Sequence, residues 1–93
     1  MAEILVTKSG RVDGYEFQVT VEEGRSETQH HVTLTESDYR RLAGGEASPE
    51  ELVPESFRFL LEREPKESIL RSFDLTVIGR YFPEYERVIR KRL

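Results

Sequence analysis

From Tyr15 to Leu34 the apolar side chains fall on every second residue, and after Thr35 they fall on every third or fourth. That change of period constrains the fold more than any other feature, because strands and helices are the structures with those two repeats. Tyr15, Phe17, Val19 and Val21 point one way, and Glu16, Gln18, Thr20 and Glu22 the other, as in a half-buried strand. Glu23-Gly24-Arg25-Ser26 forms a turn, after which Thr28, His30, Val32 and Leu34 oppose Gln29, His31, Thr33 and Thr35. With Gly24-Arg25 as a two-residue turn, Val21 faces Thr28, Val19 faces His30, Phe17 faces Val32 and Tyr15 faces Leu34. Turn and pattern agree, since a slip of one residue would carry one strand's apolar side chains to the opposite face. Upstream, Ile4 to Thr7 form a short first strand ended by Ser9-Gly10, and Asp13-Gly14 leads into the second.

Beyond Thr35 the signals are helical. Thr35-Glu36-Ser37-Asp38 reads as a cap with acids in the first turn, Tyr39 and Leu42 as an apolar stripe, and Gly44-Gly45 as the stop. Ser48-Pro49-Glu50-Glu51 opens a second helix carrying Leu52, Val53, Phe57, Phe59, Leu60 and Leu61. Those six cover roughly 200° of a helical wheel, so this helix should be covered on two sides, with a kink or break at Pro54. Pro65 ends it or opens a helix over 66–73 bearing Ile69, Leu70 and Phe73. Asp74 caps another with Leu75, Ile78 and Phe82, and Pro83 begins the last, with Tyr85, Val88, Ile89 and Leu93. The expected architecture is α+β: a three-stranded antiparallel β-meander (1–35) followed by four or five short helices (36–93) packed on one face, in one domain spanning 1–93.

The charge is uneven: residues 1–35 and 36–64 carry balances of −3 and −4, and residues 65–93 one of +3. A basic C-terminal third suggests anion or nucleic-acid contact through Arg80, Arg87, Arg90, Lys91 and Arg92. Against this, Glu36–Arg40, Asp38–Arg41, Glu67–Arg71, Glu84–Arg87 and Glu86–Arg90 stand at helical ion-pair spacing, which consumes much of that charge. Helices 66–73 and 75–82 make a poor helix-turn-helix, since the connection is too short and the second would open with Leu75, Thr76 and Val77.

Catalytic patterns fare worse. The neighbours His30 and His31 point to opposite faces of a strand and cannot share a metal; His30 belongs at the rim of the apolar face and His31 in solvent. Glu50 and Glu51 are first-turn acids that the helix dipole favours. No serine sits in a Gly-x-Ser-x-Gly setting, and the glycines lack the spacing of a phosphate loop. With no cysteine there is no thiolate nucleophile or thiolate zinc site, and a reducing, cytoplasmic setting is expected. The N-terminal residues do not read as a signal peptide, and no apolar run approaches the roughly 20 residues a membrane span needs. The most distinctive stretch, Tyr81-Phe82-Pro83-Glu84-Tyr85, offers Tyr81 and Tyr85 as candidate partner contacts.

Glu51-Leu52-Val53, Ser56 to Pro65, Glu67-Ser68-Ile69-Leu70, Phe73-Asp74-Leu75 and Tyr81 to Tyr85 together resemble a group of small uncharacterised bacterial proteins that share a similar C-terminal half. The resemblance spans roughly residues 50–86. It implies a bacterial, cytoplasmic protein and transfers no activity and no functional residue. The expectation is therefore a non-enzymatic binding or adaptor domain without cofactor or metal, acting through protein contacts that include a homodimer through an exposed sheet edge. An accessory nucleic-acid or phosphate-binding role is the alternative.

Overall fold

The computed structural model describes residues 2–44 and 47–93. Strands β1 (Glu3–Arg11), β2 (Gly14–Glu23) and β3 (Ser26–Thr35) precede helices α1 (Glu36–Ala43) and α2 (Pro49–Leu61). A 3₁₀ turn at Lys66–Ser68, a short strand β4 (Ser72–Asp74) and helices α3 (Val77–Tyr81) and α4 (Tyr85–Arg92) follow. The class is α+β, and the change from strand to helix falls at Thr35. No helix among the described residues is long and apolar enough to cross a membrane.

The β2–β3 register is the one the alternation dictates, from Tyr15 opposite Leu34 to Val21 opposite Thr28. Gly24 takes the left-handed conformation, φ 61°, that the tight turn requires. β1 is longer than expected. It runs through Ser9 and Gly10, and the chain turns at Val12-Asp13, because pairing with Glu16 and Tyr15 holds the glycine in extended form.

Two expectations are corrected. The sheet has four strands in the order β1-β2-β3-β4, and it is mixed, since β4 runs parallel to β3. Residues 66–73 are accordingly not a helix. After one 3₁₀ turn the chain extends, which sets Phe73 beside Val32 and its ring 6.0 Å from that of Phe57. The segment's backbone groups bond to β3 instead of to each other: the His31 amide donates to the Arg71 carbonyl at 2.7 Å, and the Leu75 amide to the Thr33 carbonyl at 2.9 Å.

Helix ends follow local chemistry. Thr35 Oγ1 accepts from the Asp38 amide and Ser48 Oγ from the Glu51 amide, each satisfying a donor the first turn leaves free. Gly44 closes α1 in the left-handed region, with its amide donating to the Arg40 carbonyl; Gly45 lies outside the described residues. No break occurs at Pro54, and α2 runs on from Pro49 to Leu61. The carbonyl that Pro54 leaves without a helical donor is that of exposed Glu50, where water can replace the bond.

The core lies between the sheet and α2, and continues behind α2. Phe17, Val19, Val21, Val32 and Leu34 from the sheet meet Leu52, Val53 and Phe57, while Phe59 on the far side packs edge-on against Phe82 and Tyr85 at 5.9 and 5.3 Å. The two-sided burial read from the wheel is thus realised. The opposite sheet face carries Glu16, Gln18, Thr20, His31 and Thr33, all at least partly exposed.

Gly14 occupies a close approach between β2 and the start of α1. A Cβ there would press into the Leu34 carbonyl oxygen and Thr35 Cα, backbone atoms that cannot swing aside. Gly14→Ala is expected to destabilise the fold by about 1–3 kcal/mol, measured by chemical denaturation, as overpacking against a fixed wall does.

Candidate binding groove

The non-helical run 69–74 leaves a gap between itself, the end of α2 and α3. The gap is a groove of about 350 Å³ lined by Leu60, Glu64, Ser68, Ile69, Leu70, Phe73, Val77, Ile78, Tyr81 and Phe82. Leu70 and Tyr81 are 47% and 67% exposed.

Its wall is pinned from beneath by His30. The imidazole is buried, with Nδ1 2.7 Å from the Leu70 carbonyl oxygen and Nε2 2.8 Å from Thr28 Oγ1. A carbonyl can only accept, so Nδ1 carries the proton and donates; in the neutral ring Nε2 then accepts from the Thr28 hydroxyl. Asp74 pins the other end: Oδ2 accepts from Thr33 Oγ1 at 2.9 Å, and Oδ1 accepts from the amide and hydroxyl of Thr76 at 3.1 and 2.7 Å, just ahead of α3. His30 was expected at the rim of the apolar face. It is interior because β4 adds a strand outside β3, and its neighbour His31 faces out with Nε2 2.7 Å from Glu16 Oε2. No group of three or more His, Asp or Glu side chains suited to a metal occurs among the described residues.

Glu64 is the ionisable carboxylate of the groove. It follows α2 in the turn closed by its own amide bonding to the Leu60 carbonyl, and its side chain makes no hydrogen bond or ion pair among the described residues. Partial burial raises its pKa above the ordinary 4.5. Neighbouring charges are spent elsewhere: Arg63 stacks 3.6 Å over the Phe59 ring and bonds Glu84, Glu62 and the Phe59 carbonyl.

The two tyrosines singled out from the sequence separate. Tyr81 stands at the groove rim. Tyr85 is completely buried, and its hydroxyl lies 2.6 Å from Ser56 Oγ. The Ser56 proton goes to the Leu52 carbonyl, so Tyr85 donates to Ser56, and burial raises the phenol's pKa. Tyr85 is therefore a core residue, because α4 lays that face against Phe59.

The five candidate anion contacts also divide. Arg92 reaches across to Glu62 at 2.6 Å, and Arg90 to the Arg41 carbonyl at 2.9 Å, with Glu86 at 3.9 Å. Arg80, Arg87 and Lys91 are exposed and make no ion pair among the described residues. Of the helical pairs expected, Glu36–Arg40, Asp38–Arg41 and Glu86–Arg90 form. Glu84 instead takes Arg63, and Glu67 takes Lys66 because 66–73 is not a helix.

The groove itself was not foreseen, since the i, i+1, i+4 spacing of Ile69, Leu70 and Phe73 reads as a helical stripe. No protein-family model, curated protein or solved structure matches the chain.

A carboxyl whose pKa is higher in the folded state than in the unfolded favours folding when protonated, and that gain is lost as pH rises from 4.5 through the folded value. Glu64→Gln should therefore leave the melting temperature unchanged near pH 3 and raise it at pH 7, as followed by thermal circular dichroism.

Proposed function

We propose that this protein is a small non-enzymatic binding domain whose groove takes apolar side chains of a protein partner. The supporting observation is the coexistence of an open apolar groove of about 350 Å³ with Leu70 and Tyr81 exposed beside it. Exposed large apolar groups around a concavity mark recognition surfaces, with an aromatic at the rim as the usual anchor. Glu64 adds polarity to the choice. Its partly desolvated carboxylate gains from a lysine or arginine placed beside the apolar anchors, so the fitting occupant is a segment with two or three apolar side chains and an adjacent base.

The groove offers little for catalysis. General acid–base work pairs two groups held in reach of each other, whereas Glu64 shares the groove with Ser68 and Tyr81 and makes no side-chain hydrogen bond to either among the described residues. The basic-helix alternative has less support than the sequence implied, because Arg90 and Arg92 are engaged within the molecule. Arg80, Arg87 and Lys91, which make no ion pair among the described residues, give a weak, strongly salt-dependent attraction to phosphate.

Peptides selected from a random library against the protein test this reading. Amide chemical shifts should move at Leu70, Phe73, Val77 and Tyr81 on binding, and selected sequences should be enriched in a base next to apolar residues. Leu70→Glu and Tyr81→Ala, both at exposed positions, should weaken such peptides by about tenfold or more, the loss of one interface anchor. Unchanged affinity in both variants would refute the groove.

A further inference from the structure

β1 is a free edge. It lies outermost in the sheet, and an antiparallel ladder turns the amide and carbonyl of every second residue away from its one partner strand. Natural proteins blunt such edges by shortness, proline, bulges or an inward lysine. β4, the other edge, is three residues long. β1 is nine residues long, contains no proline, and pairs with β2 in unbroken register over its whole length. Its inward lysine is spent, because Lys8 Nζ lies 2.9 Å from Glu50 on α2 and is drawn down onto the helix.

The charges along β1 are self-complementary when the strand is reversed. Glu3 stands at one end and Arg11 at the other, both on the face away from the helices, with Arg11 also 3.6 Å from Glu16 of its own chain. We infer that β1 pairs antiparallel with β1 of a second copy of this chain, joining two four-stranded sheets into one of eight strands. Placing Thr7 on the two-fold axis sets Glu3 against Arg11 of the second copy, twice. It also sets Ile4 against Gly10, Leu5 against Ser9 and Val6 against Lys8. Helix-side residues meet helix-side residues throughout, so both helical layers lie on one side and no side chain changes face. Leu5, 51% exposed in the single chain, gains neighbours from the second copy. The interface is separate from the groove and leaves it open.

The absence of cysteine makes the register directly testable. At high protein concentration, sedimentation equilibrium should give twice the 10.9 kDa chain mass, falling towards one chain on dilution. Thr7→Cys should form a disulfide-linked dimer at least about tenfold faster than Val12→Cys, because only residues on the axis bring their Cα atoms within the roughly 4.4–6.8 Å a disulfide spans. Glu3→Arg and Arg11→Glu should each weaken dimerisation by about fivefold, and the double reversal should restore it, as expected of directly opposed charges. A single-chain mass at millimolar concentration, equal cross-linking rates, or a double reversal no tighter than the single variants would each overturn the inference.

Discussion

Everything else in this molecule depends on α2 being buried on two sides. Phe57 enters the layer against the sheet, 5.3 Å from the His30 ring and 6.0 Å from Phe73, while Phe59 faces the opposite way into Phe82 and Tyr85. A helix with apolar residues on both flanks cannot lie on a sheet and leave its back to water. In a chain this short, where burial is scarce, the last third of the sequence supplies the second cover. That demand explains why Tyr85 is a core residue and why Arg63 lies flat on Phe59, its charge answered by Glu84 and Glu62. Between α2 and α4 the chain passes along the edge of the sheet, where β4 forms.

β4 is a small element with a large consequence. Three residues of parallel pairing would be weak alone, but side-chain bonds from the strands reinforce them at both ends. His30 holds the Leu70 carbonyl, and Thr33 holds Asp74, which in turn orders Thr76 ahead of α3. A polar side chain buried next to phenylalanine is tolerable because both ring nitrogens are satisfied, and among the described residues no fully buried side-chain polar atom lacks a partner. The run 69–74 is thereby held out of a helix, and the space a helix would have filled becomes the groove.

Electrostatics act mainly to tie elements together. Arg41–Glu86 joins α1 to α4, Lys8–Glu50 joins β1 to α2, and Arg92–Glu62 joins α4 to the end of α2. Helical spacing identified the local pairs, such as Glu36–Arg40 and Asp38–Arg41, but not these long-range ones. It also assigned Glu67 and Glu84 to the wrong arginines, because a pair at i,i+3 or i,i+4 forms only if the intervening residues are helical and no nearer cation competes. The Glu64 carboxylate is the one in the groove that none of these ties reaches.

Legibility followed the reach of the interactions concerned. The β2–β3 register, the strand-to-helix change at Thr35, the caps at Thr35 and Ser48, and the two apolar flanks of α2 arise from neighbours within a few residues, or from a periodicity repeated several times. The sequence by itself determined those. The conformation of 69–74, the burial of Tyr85 and His30 and the groove beside Tyr81 are decided by contacts 29 to 41 residues apart, such as Ser56 with Tyr85, His30 with Leu70 and Thr33 with Asp74. Only the tertiary structure could decide them, because the i, i+1, i+4 spacing of Ile69, Leu70 and Phe73 is that of a helical stripe, and pairing with β3 and packing on α2 override it.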